Sequence, residues 1–270
     1  MPDSARKSTL NRYGQVIEAI FFAHYQPGMR EVPFDREEIA GAAHARGFEL
    51  KNVGDLVYSF RYRMPLPPSV EETAGPDKVW VIRSCGSAKY CFMQETPLHI
   101  QPNPALAETK VPDATPGVIA MYAQGDEQAL LAKLRYNRLI DIFTGVACYS
   151  LQNHLRTQVP GIGQIETDEI YVGIDRRGAH FVFPVQAKGG KEQLGRLQME
   201  QDIAMCRAKF PALICRPIGA QFAGDDLIAM FEFEATDEGI RIGSEKHYRL
   251  VPSDEVSPDD LRAYANRADS

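Results

Sequence analysis

A glutamine and a lysine stand two residues apart in VFPVQAKGGKEQ, residues 182–193, where an apolar run ends. Alternate side chains of a strand project from the same face, so Gln186 and Lys188 are expected to lie side by side. An amide oxygen binds cations and an ammonium group binds anions. The pair therefore fits either a metal site that handles phosphate or an ordinary solvated strand end.

A predicted hairpin adds two carboxylates to this pair. The sequence Asp-Arg-Arg-Gly at 175–178 favours a turn between two strand-like segments. Glu166 and Asp168 share one face of the first segment. If the two faces coincide, these carboxylates meet Gln186 and Lys188 at one end of the sheet. Carboxylate and amide oxygens are the hard ligands that Mg²⁺ prefers.

Such a set of groups suits the hydrolysis of a phosphodiester. Bound Mg²⁺ acidifies water and offsets the charge that develops on the phosphoryl oxygens. A lysine within reach of the phosphate adds positioning and electrostatic stabilisation. Gln186 contributes no charge, so Asp168 is expected to be the main ligand of the metal ion. In one alternative Glu166 is an additional ligand.

The elements around the hairpin predict a mixed α/β domain. A long helical pattern covers residues 126–157, in which Gly145 is one place for a break. An amphipathic helix at 192–210 is expected to cross over between two strands. The predicted strands cover residues 163–174, 179–189, 212–222, 226–235 and 240–251.

The N-terminal region predicts three helices, within residues 9–25, 34–50 and 51–63, and then a hairpin over 78–93. This is the order of a winged helix-turn-helix, whose third helix enters the major groove of DNA. The alternative is a small helical domain with another role. The side chains that this third helix would present to DNA are Lys51, Asn52, Arg61 and Arg63.

Five prolines between residues 95 and 117 indicate a connector, because proline neither continues a helix nor donates to a strand ladder. The expected organisation is an N-terminal domain at 1–95, a connector at 96–124, a second domain at 125–252 and a polar tail at 253–270.

Composition narrows the classes of function. A net charge of −6 argues against indiscriminate coating of nucleic acid, although 30 Lys and Arg residues allow a local basic face. We expect no membrane span and no signal peptide. The five scattered cysteines suggest neither disulfides nor a zinc ribbon, which favours the cytoplasm.

Asp168, followed by Gln186-Ala187-Lys188 at the end of an apolar strand, resembles the PD-(D/E)xK nuclease superfamily. The phrase VQAKGG is most similar to Mrr-like restriction endonucleases. The resemblance covers about residues 126–222, and Thr167 stands where the superfamily's proline would be. It implies a restriction-endonuclease-like mixed sheet flanked by helices, here preceded by the winged-helix-like domain.

The resemblance also implies roles for single residues. Asp168 and Gln186 would bind Mg²⁺, and Lys188 would assist the attacking water. Members often add an acidic residue on the preceding helix, for which Asp141 is the candidate. Many also carry a helical glutamine after the lysine, for which Gln198 and Gln201 are alternatives.

The function expected from these observations is a Mg²⁺-dependent endonuclease of restriction or phage-defence type that acts on double-stranded DNA, with a homodimer as the economical way to cut both strands. One alternative is a nuclease-fold protein that binds DNA without cutting it. Another is an α/β protein unrelated to nucleic acid. The sequence leaves open which base sequence is recognised and whether the nucleic acid is DNA or RNA.

Overall fold

A computed structural model describes residues 11–86, 88–123, 125–160, 162–189, 192–224, 226–236 and 239–267. The chain forms two compact units. One comprises the chain up to Pro97 together with 160–163, and the other comprises 98–159 and 164–270.

The first unit combines helices with a small sheet. Its helices are α1 (Arg12–His24), α2 (Arg36–His44), α3 (Val53–Tyr62) and α4 (Pro68–Glu71). Its strands are β1 (Glu31–Asp35), β2 (Val79–Gly86) and β3 (Lys89–Glu95). They form an antiparallel sheet in the order β1-β3-β2. The predicted three helices and hairpin are present, and β1 adds a strand between the first two helices.

Local sequence sets where these helices begin. Asn11 and Asn52 accept hydrogen bonds from Gly14 and Gly54, so each satisfies a backbone amide at a helix start. The apolar side chains of the three longer helices then pack on the sheet, where Phe21 makes an edge contact with Phe92.

The second unit is larger and is built around one mixed sheet. Its helices are α5 (Gly117–Tyr122), α6 (Glu127–Tyr136), α7 (Leu139–Thr144), α8 (Arg196–Lys209) and α9 (Pro258–Ala265), with a 3₁₀ turn at Ser253–Glu255. Its strands are β4 (Glu108–Pro112), β5 (Ala147–Val159), β6 (Gly163–Ile174), β7 (His180–Lys188), β8 (Ile214–Cys215), β9 (Ile218–Gly224), β10 (Leu227–Thr236) and β11 (Gly239–Val251).

The strands lie in the order β4-β11-β10-β9-β7-β6-β5, and β8 pairs with β7. Strands β6 and β7 are antiparallel, whereas β7 and β9 are parallel. A parallel pair requires a crossover, and α8 supplies it as the sequence predicted.

Helices cover both faces of this sheet. Along β10, Ile228 and Met230 belong to the apolar cluster that includes residues of α6 and α7. The intervening Ala229 and Phe231 belong to the cluster that includes residues of α8. Because alternate strand residues face opposite sides, α8 lies on one side of the sheet and the α6–α7 pair on the other.

The helical pattern predicted over residues 126–157 breaks at Gly145, as the sequence allowed, but its second half is a strand and not a helix. Helix α7 ends at Gly145, whose φ of 68° lies in the left-handed region that glycine adopts without strain. The chain then forms β5, which lies next to β6 at the end of the sheet. Pairing within the sheet therefore overrides the helical pattern of residues 147–159.

Two segments predicted outside the domains contribute to the second unit. The proline-rich connector contains β4, which pairs in parallel with β11. The predicted polar tail contains α9, whose Tyr264 hydroxyl accepts a hydrogen bond from the amide of Lys110. Within the described ranges, no helix is long and apolar enough to cross a membrane.

Candidate active site

Asp168, Gln186 and Lys188 come together where β6 and β7 meet. The two strands pair with Glu169 opposite Val185, so Asp168 lies beside the end of β7. The Ala187 amide donates to Asp168 Oδ2 at 2.8 Å. Asp168 Oδ1 accepts no hydrogen bond from any residue that the structure describes. One oxygen of this carboxylate is thus fixed to the sheet, and the other is left for a ligand.

Lys188 is buried and held by a carboxylate from the preceding helix. Its Nζ donates to Glu127 Oε1 at 2.5 Å and lies 3.9 Å from Glu192. Burial lowers the pKa of Lys188, but the hydrogen bond to Glu127 and the nearby charges, Asp168 among them, outweigh it and raise the pKa. Lys188 therefore remains a cation at neutral pH.

Gly189 lets the start of α6 approach the end of β7. A Cβ at this position would lie 2.9 Å from the Asp126 carbonyl carbon and 3.0 Å from the Glu127 nitrogen. No side chain fits there unless the backbone of α6 moves. The glycine after the lysine is therefore explained by the close contact that brings Glu127 to Lys188.

Gln186 is almost fully buried, and its amide nitrogen has two acceptors. Nε2 donates to Asp202 Oδ2 at 2.9 Å and to the Glu166 carbonyl at 3.2 Å. Asp202, on α8, is completely buried and also accepts from Thr167 Oγ1 at 2.5 Å. Three chain segments are thus joined by polar groups beneath the site.

Burial changes the protonation of both aspartates. Burial raises the pKa of Asp168, and the Ala187 amide and the charge of Lys188 offset this only in part. Burial also raises the pKa of Asp202 to about 7, against the opposing hydrogen bonds from Thr167 and Gln186. Cations or further donors beside Asp168 would favour its ionised form.

Glu166 lies near this group but points to β5. Its carboxylate accepts from Arg156 at 3.0 Å and lies 4.0 Å from His154 Nδ1. Its backbone carbonyl, rather than its side chain, holds Gln186. As a metal ligand Glu166 would have to leave Arg156.

The structure does not bring Asp141 to the site. This α7 residue accepts from the Cys148 amide at 2.9 Å and pairs with Arg138. Cys148 lies against Gly173, five residues along β6 from Asp168. At about 3.3 Å per strand residue this is roughly 17 Å, too far for a shared ion.

The two helical glutamines differ in their surroundings. Gln198 Oε1 accepts from the Gly195 amide at 3.3 Å, so it caps the start of α8. Gln201 is buried next to Asp202. Of the two, Gln201 is the buried one, and it directly precedes Asp202 in the sequence.

Glu169, next to Asp168, is a buried carboxylate of a different kind. Its Oε1 accepts from Arg135 Nη2 at 3.0 Å and also from the Ser150 hydroxyl. The ion pair joins α6 to β6. Its Oε2 is buried and accepts no hydrogen bond from the described residues, so the ion pair through Oε1 is what stabilises this carboxylate, and Glu169 provides an internal comparison for Asp168.

In the first unit, the residues expected to contact DNA lie at the two ends of α3. Lys51, Asn52 and Arg63 are exposed. The Arg63 guanidinium lies 4.9 Å from the ring centre of Tyr58, and that of Arg61 lies 5.4 Å from the ring centre of Tyr62. Asn52 also serves as the helix cap.

An open cleft of about 460 Å³ adjoins the lysine end of the site. Its described lining residues are Gly125, Asp126, Glu127, Gln128, Gly189 and Glu192. Three of these carry carboxylates, so a phosphate entering alone would be repelled. A bound cation would reverse that field.

The donor set fits a weakly held divalent ion. Asp168 Oδ1 is open to a ligand, and the amide geometry of Gln186 turns its Oε1 away from Asp202. Among the described residues, no three His, Cys, Asp or Glu side chains are grouped to hold a metal. A metal here would rely on one carboxylate, one amide and oxygens from substrate or solvent, as Mg²⁺ sites often do.

Sequence reasoning missed Glu127, Thr167 and Asp202. A signal existed for Glu127, which follows a capping aspartate in the first turn of a predicted helix. A signal also existed for Asp202, which is acidic yet lies between Met199 and Met205 on the buried face of α8. Their partners are remote in sequence, so no local pattern identified them.

No family model, no curated protein and no solved structure matches this chain.

Proposed function

We propose that this protein is a Mg²⁺-dependent endonuclease that hydrolyses phosphodiester bonds of double-stranded DNA, as a restriction or phage-defence enzyme. The observation that carries the proposal is the convergence of Asp168, Gln186 and Lys188 on adjacent strand ends, all buried and all held by named partners. Burying ionisable groups costs free energy unless they are paired, so such a cluster is unlike a solvated strand end.

The order of elements supports the same proposal. The site is surrounded by elements in this order along the chain: helices α6 and α7, strands β5, β6 and β7, the crossover helix α8, and strand β9, which is parallel to β7. This order is in keeping with the restriction-endonuclease-like sheet implied by the resemblance. We propose Glu127, in place of Asp141, as the acidic residue from a preceding helix, because it accepts a hydrogen bond from Lys188.

Asp168 and Gln186 would hold the metal through Oδ1 and Oε1. When bound, Mg²⁺ would acidify water and offset the charge that develops on the phosphoryl oxygens. Lys188 keeps its proton and supplies a positive charge beside the scissile phosphate. Glu127 orients that ammonium group through its hydrogen bond.

The first unit is the proposed DNA-binding part. Its order of three helices and a hairpin supports a winged-helix-like domain, and two arginines lie at the C-terminal end of α3, of which Arg63 is exposed and Arg61 is half-buried. Phosphate contacts by Arg61 and Arg63 would set the position on the duplex, and base contacts from α3 would give specificity. We further propose a cytoplasmic homodimer, because two sites cut two strands.

The proposal is tested by incubating the purified full chain with plasmid and phage DNA, in Mg²⁺ or in EDTA. We expect discrete fragments in Mg²⁺ alone, and a loss of about 10²–10³-fold in cleavage rate for Lys188→Ala. Cleavage that survives EDTA, or that is unaffected in Lys188→Ala, would contradict the site assignment.

A second function has one observation in its favour. Lys188 is already paired with Glu127, and burial raises the pKa of Asp168 and so favours its neutral form, which does not bind a cation. This favours a DNA-binding protein on a nuclease fold that does not cut. A gel shift at low salt without cleavage of any DNA, modified or unmodified, would select it.

A further inference from the structure

The amide of Gln186 has one defined orientation. The Glu166 carbonyl can only accept a hydrogen bond, and it lies 3.2 Å from Nε2. The nitrogen therefore occupies that position whatever the protonation of neighbouring groups. Its second hydrogen goes to Asp202 Oδ2 at 2.9 Å. Oε1 must then point the other way, and it accepts no hydrogen bond from the described part of the chain.

Both carboxylate oxygens of Asp202 accept a hydrogen bond in this arrangement. Oδ2 accepts from Gln186, and Oδ1 accepts from Thr167 Oγ1. The residue is completely buried on α8, below the strand ends. Its carboxylate thus acts through Gln186 and is not itself presented to a ligand.

We propose that Asp202 is a positioning residue that, together with the Glu166 carbonyl, fixes the Gln186 amide with its oxygen towards the metal, and that these two acceptors make glutamine rather than glutamate the residue that fits at position 186. A glutamate there would place a carboxylate oxygen where Nε2 now lies. That oxygen would face the Asp202 carboxylate and the Glu166 carbonyl, which are both acceptors. The role in metal binding rests on the function proposed above, whereas the pairing itself does not.

The pairing predicts that amide and carboxylate can be exchanged only together. Gln186→Glu alone places two carboxylates in contact in a buried place, where they must either repel each other or take up a proton, and at pH 8 both alternatives cost stability. Gln186→Glu with Asp202→Asn restores one amide and one carboxylate, because the amide nitrogen introduced at position 202 can donate to the carboxylate introduced at position 186. The exchanged pair also keeps the formal charge of the natural pair.

The test is a double-mutant cycle on the full chain at pH 8, with Gln186→Glu, Asp202→Asn and both together. Urea unfolding without metal measures the pairing, and calorimetric titration with Mg²⁺ alone measures the positioning of the oxygen. We expect Gln186→Glu to lower the urea midpoint. Repulsion from Asp202 should move the new carboxylate away from the position of Oε1, and this displacement should outweigh its added charge, so we expect Mg²⁺ binding to weaken by about 10–100-fold, the size of effect of a disturbed outer partner. The double variant should recover part of both losses, since the Glu166 carbonyl still faces a carboxylate oxygen at position 186.

Met205→Ala, also buried on α8, is the control for a merely structural effect. It should lower the urea midpoint and leave the affinity of the folded protein for Mg²⁺ unchanged. Additive effects at 186 and 202, or Mg²⁺ binding by Gln186→Glu as tight as in the natural protein, would overturn the proposal. If the natural protein bound no Mg²⁺, the proposed function would fail, and the unfolding cycle alone would still decide whether Asp202 fixes the amide.

Discussion

The candidate active site of the second unit and the candidate DNA surface of the first unit present their charges in opposite ways. Asp168, Gln186 and Lys188 are buried and tied to residues from three elements. Arg63 and Lys51 are exposed, and Arg63 has a ring of its own helix as neighbour. The first arrangement costs free energy unless it is paired, whereas the second costs almost nothing.

This difference in burial predicts that single substitutions have larger effects at the candidate active site than at the candidate DNA surface. A buried, interlocked group constrains each member, so single changes are expected to have large and separable effects. An exposed basic surface distributes its contribution over several contacts, so single changes are expected to be small and to depend on salt.

The largest effect is expected from Asp168→Ala, which removes the carboxylate that holds the metal. We expect its cleavage rate to fall by more than the about 10²–10³-fold expected for Lys188→Ala, because loss of an outer partner of a metal site alone costs about 10–100-fold and Asp168 is the proposed ligand itself. Affinity for DNA, measured by gel shift in EDTA, should stay nearly unchanged. A strong loss of DNA binding would instead show that Asp168 supports the fold or the DNA contact.

Gly189→Ala should have the next largest effect. The added methyl group meets the backbone of Asp126 and Glu127, so α6 must shift away from Lys188. We expect a loss of about 1–3 kcal/mol in the free energy of unfolding, as for other overpacked positions, together with slower cleavage. Gly117→Ala is the control, since no atom lies within 4 Å of its added methyl group. Equal stabilities of the two variants would contradict the close contact.

Glu169→Gln should separate structure from chemistry. It weakens the buried pairing with Arg135, so we expect a loss of about 1–3 kcal/mol in the free energy of unfolding. The folded fraction should still cleave DNA. Cleavage abolished without a change in urea midpoint would place Glu169 in the chemistry.

The smallest effect per residue is expected at the C-terminal end of α3, where Arg63 is exposed and Arg61 is half-buried. Arg61→Ala with Arg63→Ala should weaken DNA binding and reduce the slope of log K against log salt by about one for each phosphate that is no longer neutralised. Binding isotherms at several salt concentrations measure this slope. An unchanged slope would move the DNA surface away from the end of α3.

The sheet around the site was predictable where local pattern and pairing agree. Strand β6 has the bounds predicted from its sequence, and β7 differs by one residue at each end, because a turn signal separates two apolar segments. Strand β5 was missed because most of its residues are exposed and its pattern lacks a buried face. Only pairing within the sheet defines it.

The strand residues of the candidate site were predictable from the sequence, whereas the residues contributed by the helices were not. The strand spacing brought Asp168, Gln186 and Lys188 together, because side chains two apart share a face. Glu127 lies 61 residues from Lys188 and joins it through the packing of α6 at Gly189, which no spacing rule contains. Asp202 likewise depends on how α8 docks on the sheet.

The central claim, a metal site built on Asp168, is tested most directly by calorimetric titration of Mg²⁺ into the natural protein, Asp168→Asn and Glu169→Gln. The account predicts binding to the natural protein and to Glu169→Gln, and no binding to Asp168→Asn while that variant stays folded. Equal Mg²⁺ binding by all three proteins would contradict it.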